Sequence, residues 1–241
     1  MRVYLSPWAF HYPHDSPQEC ALRKIDPSLV PEPEHFSFPD VDALLRHLDG
    51  PGADDRSRFQ GSINEQLKKN RDVKTIKQAR TQLKDLKHFP KYRGRQYDNY
   101  HNAARSVEGG TGKEWERKLI NGLDREIDGS NILLEQNQLL FHGRSNDLLI
   151  KERPYPSYVS TTLDPIVAIN SALRRAGNNN ANGRPIVFVL KLCISVPALW
   201  GHVGRSREWE LLLPRRLSWT QTAFWSGITF DVAHASASCA R

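Results

Sequence analysis

Glu208-Trp209-Glu210-Leu211-Leu212-Leu213-Pro214 puts two carboxylates two residues apart at the head of an apolar run. On an extended chain, residues i and i+2 point the same way, so a strand here presents both acids to one ligand and turns Trp209 to the opposite face. The leucines that follow read as a buried strand that holds the pair in place. An acid-x-acid pair before a strand is by itself ordinary solvated surface. It gains weight because two segments upstream can share a site with it.

The first is Leu139-Leu140-Phe141-His142-Gly143-Arg144-Ser145, an apolar run that ends in a polar side chain and a glycine. A glycine in a strand admits close approach of a ligand or another backbone. The second is Tyr158-Val159-Ser160-Thr161-Thr162, a hydroxyl-bearing strand, followed by Leu163-Asp164-Pro165-Ile166-Val167-Ala168. Asp164 suits the N-cap of a helix with Pro165 at its first position.

The order Phe-His-Gly, Ser-Thr-Thr, Glu-x-Glu resembles the mono-ADP-ribosyltransferase superfamily, and its connecting text resembles the bacterial toxin class built on arginine, serine and glutamate. In that class a Ser-Thr-Ser strand leads to Pro-x-Val-Ala, here Pro165-Ile166-Val167-Ala168. A strand and a Val-Pro follow, here Ile186–Leu192 and Val196-Pro197, and then Glu-x-Glu-x-Leu-Leu-Pro, here Glu208 to Pro214. The resemblance covers roughly residues 95–230.

The resemblance implies NAD as substrate and assigns roles residue by residue. Glu210 matches the catalytic glutamate. Glu208 matches the acid that accepts a proton from, or orients, the incoming nucleophile. Ser160 matches the serine that orients the catalytic glutamate near the nicotinamide ribose, with Thr161 beside it in a supporting place on the NAD side. The toxin class carries an arginine before the glycine of the first motif, whereas this chain has His142, as in the diphtheria-like and poly-ADP-ribosyl branch. There the histidine bonds the adenosine ribose and the glycine backbone clamps the nicotinamide amide, roles that pass to His142 and Gly143. Arg144 is placed to reach a phosphate, since a guanidinium fork suits phosphate oxygens. Arg105 closes Tyr97-x-x-Tyr100-His101-x-x-Ala104-Arg105, similar to a family helix, and is a second phosphate ligand candidate.

The chemistry asked of these residues is plain. Breaking the nicotinamide–ribose bond develops an oxocarbenium-like cation, as in glycoside cleavage. A fixed carboxylate near that ribose stabilises the charge, more so where water is excluded. Nicotinamide leaves neutral, so no acid is needed. In the family a glutamate at the earlier position goes with arginine as acceptor. A known effector family with similar motifs modifies threonine on host ubiquitin, where Glu208 would act more directly as general base.

Composition bounds the alternatives. The chain has 241 residues, 39% hydrophobic and 25% charged, which suits a soluble globular protein of one sizeable domain, or of a domain with an extra lobe. No run of about 18 apolar residues occurs, so no membrane-spanning helix is expected. Cys20, Cys193 and Cys239 are odd in number and scattered, which supports neither a disulfide framework nor a zinc site, and no metal is expected. Gly109-Gly110-Thr111-Gly112-Lys113 has a phosphate-loop look but lacks the spacer and the following hydroxyl, so it reads as a loop between helices. No Gly-x-Gly-x-x-Gly fingerprint occurs, which disfavours a dehydrogenase.

The net charge of +7 is concentrated. Residues 68–95 hold eleven lysines and arginines against Asp72 and Asp85, a local +9. Such a segment is either a solvated helix face or a contact for an acidic partner. Few aromatics interleave it, which weakens a nucleic-acid reading.

Along the chain, residues 1–60 form a proline-rich arm whose only helical stretch is Asp40 to Leu48, with Asp40 as N-cap. The resemblance implies that such an arm carries an export signal. Residues 61–241 form the expected transferase domain, a helical lobe over 61–135 and an NAD-binding β core over 136–241. Helices are expected within 62–88, over Tyr97 to Val107, Glu114 to Ile127 and Pro165 to Arg175. Strands are expected at Leu139–His142, Tyr158–Thr162, Ile186–Leu192, Glu210–Leu213, Gln221–Trp225 and Thr229–Val232. Helices first and strands later mean α+β, and the resemblance specifies a split β-sheet NAD fold. The implied protein is a monomeric bacterial effector, secreted into the host cytoplasm, that moves ADP-ribose to a host protein. A non-enzymatic host-binding module and a nucleic-acid ADP-ribosyltransferase are the competing readings.

Overall fold

The computed structural model describes residues 2–3, 10–13, 35–50, 52–53, 56, 83–145, 148–151, 154–178, 183–201 and 210–239. Glu208, Trp209 and most of the expected helical stretch at 62–88 lie outside these. The chain divides into two compact units, one of Ser6–Asn70 and one of Met1–Leu5 with Arg71–Arg241.

In the smaller unit, β2 (Phe10–Pro13) pairs antiparallel with β3 (His35–Phe38) ahead of helix α1 (Val41–Asp49). The Asp40 side chain accepts the Ala43 amide at 2.8 Å, the N-cap expected from the sequence. Leu44, Leu45 and Leu48 form its fully buried stripe.

Among the described residues of the larger unit, α2 (Phe89–Arg93), α3 (Tyr97–Glu108) and α4 (Glu114–Asp128) precede the main sheet. The phosphate-loop look-alike is the connection between α3 and α4, with Gly110 at φ +77°. Glu116 turns back to accept the Lys113 amide at 2.7 Å and starts α4. Ile120, Leu123 and Ile127 line its buried face, each contributing about 1.5–3 kcal/mol by burial. They join Phe89, Tyr92, Tyr100, Ala103 and Ala104 in one cluster that also includes Tyr158, Leu199 and Leu212 of the β region.

The main sheet has seven strands in the order β11-β12-β7-β5-β6-β10-β9. Its members are β5 (Leu139–Arg144), β6 (Val159–Thr162), β7 (Ile186–Leu192), β9 (Leu199–Trp200), β10 (Glu210–Leu213), β11 (Leu217–Ser226) and β12 (Asp231–Cys239). Among its described strand pairs β12–β7 is parallel and the others are antiparallel. β5 meets β7 along six residues but meets β6 at a single pair, Phe141 with Thr162. The sheet is therefore split at β5–β6, in keeping with the expected split-sheet α+β fold. A smaller sheet joins β1 (Arg2–Val3), β4 (Leu133–Leu134) and β8 (Val196–Pro197).

A short helix α5 (Leu148–Lys151) follows β5, and α6 (Pro165–Asn178) follows β6. Asp164 accepts the Ile166 amide at 2.9 Å at the head of α6, as its position before Pro165 suggested. Just past β10, Arg215 pairs with Glu108 of α3 and, at 2.9 Å, with Asp124 of α4. Burial lowers the Arg215 pKa to about 10.

Candidate functional site

β6 and β10 run antiparallel, with Leu212 opposite Ser160 and Glu210 opposite Thr162. Ser160 and Glu210 are thus diagonal neighbours on one face, within reach of each other. The Ser160 hydroxyl donates to Glu210 Oε1 at 2.5 Å. Buried Leu211, Leu212 and Leu213 fix the strand behind the carboxylate. Thr161 points to the other face, where its hydroxyl donates to the Leu211 carbonyl at 2.8 Å and it is only 2% exposed. The structure therefore gives Thr161 a tie between strands, not a place beside Ser160 and Glu210.

The second oxygen of Glu210 has a partner that the sequence reading did not single out. Arg93, at the end of α2, donates Nε to Glu210 Oε2 at 2.6 Å, with side chains 18% and 14% exposed. Glu126 of α4 accepts the amides of Lys87, His88 and Phe89 at 2.6, 2.8 and 2.8 Å. A carboxylate supplied by a neighbouring helix thus caps the start of α2. Fully buried Tyr92 anchors the other end, with its hydroxyl 3.2 Å from His101 Nε2.

His142 is buried, and desolvation followed by the Arg144 charge lowers its pKa well below the usual histidine value. A neutral ring has one donor and one acceptor. Its Nδ1 lies 2.6 Å from the Ser160 carbonyl, which only accepts, so Nδ1 carries the proton. Nε2 is left as a buried acceptor with no protein partner. An acceptor of this kind matches a ligand hydroxyl.

Gly143 is required by its own packing, whatever its backbone contacts. A Cβ there would stand 1.9 Å from the Ala168 carbonyl oxygen and 2.8 Å from the Ala172 nitrogen. The space is filled by the α6 backbone, so this glycine lets helix and strand close on each other.

Arg144 donates to the Tyr155 hydroxyl, and its guanidinium carbon lies 5.6 Å from that ring's centre. Arg105 lies against the same ring at 5.6 Å. Arg175 of α6 lies over Tyr97 at 5.8 Å and keeps a buried Nε without a partner. Nothing in the local sequence marks Arg175, since a lysine or arginine near a helix C-terminus is ordinary. Burial first, then Arg144, Arg175 and Arg105, lower the His101 pKa to about 3. Arg144 and Arg105 share the Tyr155 ring, and the Tyr97 ring under Arg175 packs 4.2 Å from that of His101, so the three cations lie around one place. Among the described residues no carboxylate pairs with Arg144 or Arg175. Their charge suits a dianionic group such as a pyrophosphate.

Of the sequence-selected residues, Ser160, Glu210 and His142 come together directly, and Arg105 with Arg144 forms the cationic flank. Glu208 lies outside the described residues. Among the described residues no cluster of histidine, cysteine or carboxylates could hold a metal, and no helix is long and apolar enough to cross a membrane.

No protein-family model matches the chain, and no curated protein matches it. Its structure is similar to that of Vis toxin, an ADP-ribosyltransferase from Vibrio splendidus, at 14% identity over 78% of this chain and 86% of that one, with a TM-score of 0.47. It is similar to C3larvin toxin, an ADP-ribosyltransferase from Paenibacillus larvae, at 17% identity over 67% of this chain and 93% of that one, TM-score 0.44. It is also similar to C3stau2 from S. aureus, solved with NAD, at 15% identity over 70% of this chain and 97% of that one, TM-score 0.47. These are likenesses between chains; the chemistry stands on Ser160, Glu210, His142 and the arginines around them.

Proposed function

We propose that this chain is a mono-ADP-ribosyltransferase. It binds NAD as substrate, cleaves the bond between nicotinamide and ribose, and transfers the single ADP-ribose to a protein side chain. Nicotinamide is released. The observation that carries the reading is a part-buried carboxylate, Glu210, held by Ser160 at 2.5 Å close to an unpartnered imidazole acceptor.

Each group has a task in that reaction. Glu210 stabilises the positive charge that develops on the ribose as nicotinamide departs. Ser160 keeps the carboxylate turned to that charge. His142 Nε2 accepts from a ribose hydroxyl, and the Gly143 backbone contacts the nicotinamide amide. Arg105, Arg144 and Arg175 take the pyrophosphate, where a guanidinium fork serves better than an ammonium. Glu208 receives the proton of the nucleophile, or orients it.

The acceptor is a host protein, with arginine favoured by the Glu-x-Glu spacing and a threonine of ubiquitin favoured by the effector resemblance. The protein then acts as a secreted bacterial effector in the host cytoplasm. The test is incubation with labelled NAD and host lysate, wild type beside Glu210→Gln, with mass spectrometry of the labelled product. Label on a protein in the wild-type reaction only is the expected result. No label and no nicotinamide release from folded wild-type protein would leave a binding module, and label on nucleic acid would move the acceptor class.

A further inference from the structure

We infer that Arg93 is a positioning residue for Glu210, and that the α4–α2 connection is built to deliver it. The inference rests on the reading of Glu210 as the carboxylate that acts on NAD.

Three observations converge. The first is a clamp on both carboxylate oxygens: Ser160 on Oε1 at 2.5 Å and Arg93 Nε on Oε2 at 2.6 Å. Two donors that approach from separate elements fix the rotation of the carboxylate as well as its place. An ionised carboxylate has about four lone-pair sites, so two remain for a ligand hydroxyl or a developing cation.

The second is the support behind Arg93. α2 has only five residues, too short to hold itself. Glu126 caps its start with three hydrogen bonds, and buried Phe89 and Tyr92 seat it against α3, α4 and Tyr158. A surface arginine on a solvated basic run needs no such anchoring.

The third is the floor of the pair. A Cβ on Gly201 would lie 3.0 Å from both Arg93 Nε and Glu210 Oε2. The Gly201 amide donates to the Glu210 carbonyl at 2.7 Å, so backbone and side chain of Glu210 are gripped at one point. Glycine leaves room there for the guanidinium beside the carboxylate.

Arg93 therefore acts through Glu210. Its loss frees the carboxylate to rotate away from Ser160 and costs transition-state stabilisation, with little effect on binding of NAD at the remote arginines.

The experiment compares wild type, Arg93→Ala, Arg93→Lys and Glu210→Gln in NAD cleavage, together with crystal structures of the two Arg93 variants. Arg93→Ala is expected to lower kcat about 100-fold with KM for NAD within about twofold, a magnitude typical of one lost electrostatic support. Arg93→Lys is expected to recover about tenfold, because an ammonium restores the charge but not the planar Nε–H donor held at that place. The Glu210 carboxylate is expected to leave Ser160 in the alanine variant. An unmoved carboxylate overturns the inference, as does an unchanged or raised kcat, or a loss confined to KM. If wild type itself does not cleave NAD, the functional proposal fails, and the structures still decide whether Arg93 positions Glu210.

Discussion

Ser160 and Glu210 stand 50 residues apart in the chain and 2.5 Å apart in space, joined by a hydroxyl that donates to the carboxylate. Removal of that donor in Ser160→Ala leaves the strand intact and the carboxylate free on one side. The expected outcome is a fall in kcat of about 100-fold with folding unchanged, read by NAD cleavage and thermal unfolding. A KM effect alone would make Ser160 a binding residue.

Arg175 and Arg144 lack a carboxylate among the described residues, so their loss should weaken binding rather than chemistry. Arg175→Ala is expected to raise the Kd for NAD about tenfold, equal to about 1.4 kcal/mol, with kcat at saturation within about threefold. Titration calorimetry at two salt concentrations checks it, since a lost phosphate contact also flattens the salt dependence. Unchanged affinity would remove Arg175 from the phosphate group.

His101 and His142 are held neutral by burial, and their folded pKa values lie below the ordinary 6.5 of an exposed histidine. The unfolded chain takes up those protons first. The stability they contribute is complete above about pH 6.5 and is lost as pH falls, at about 1.4 kcal/mol per pH unit for each group. For His101 the loss continues to about pH 3. Buried Asp164, raised to about 7 by desolvation, works in the opposite sense, so the useful quantity is a difference between variants. His101→Gln should reduce the slope of stability against pH between 5 and 6 by about one group's share, read from urea unfolding. Parallel slopes would mean that His101 is charged in the folded protein.

Gly143→Ala tests which partner needs the glycine. The added methyl would meet the α6 backbone, and backbone yields poorly. A loss of about 3 kcal/mol or failure to fold is expected, visible in thermal unfolding without NAD. A stable variant that had only lost NAD affinity would mean that a side chain at 143 meets the ligand and not α6.

Strands and helices that mark themselves by periodicity were legible in the sequence. α4 shows Ile120, Leu123 and Ile127 on one stripe, and β10 follows its leucine run. β12 was expected to span Thr229–Val232 but runs Asp231–Cys239. Its buried residues beyond Val232 are Ala233, Ala235 and Ala237, too small to register as an apolar alternation. Their strand is set by pairing with β7 and β11.

The site was legible where chemistry lies in residue order and silent where it depends on approach. Ser160, Glu210 and His142 belong to short ordered motifs. Arg93 sits in a basic run with ten other lysines and arginines, and nothing in its local sequence marks it as the one that reaches a carboxylate 117 residues away. The Glu126 cap, the buried Tyr92 and the space left by Gly201 single it out, and all three are tertiary. Thr161 is the reverse case: residue order places it with Ser160 on the NAD side, and strand alternation turns its hydroxyl to the Leu211 carbonyl.

The central claim is that Glu210 acts on NAD. The most direct measurement is the rate of nicotinamide release from NAD by wild type and by Glu210→Gln, a change that keeps shape and removes charge. Release by wild type and a fall of about 1,000-fold in the variant, with equal NAD affinity, is the expected result. Equal rates in the two proteins would contradict the claim and place the chemistry elsewhere.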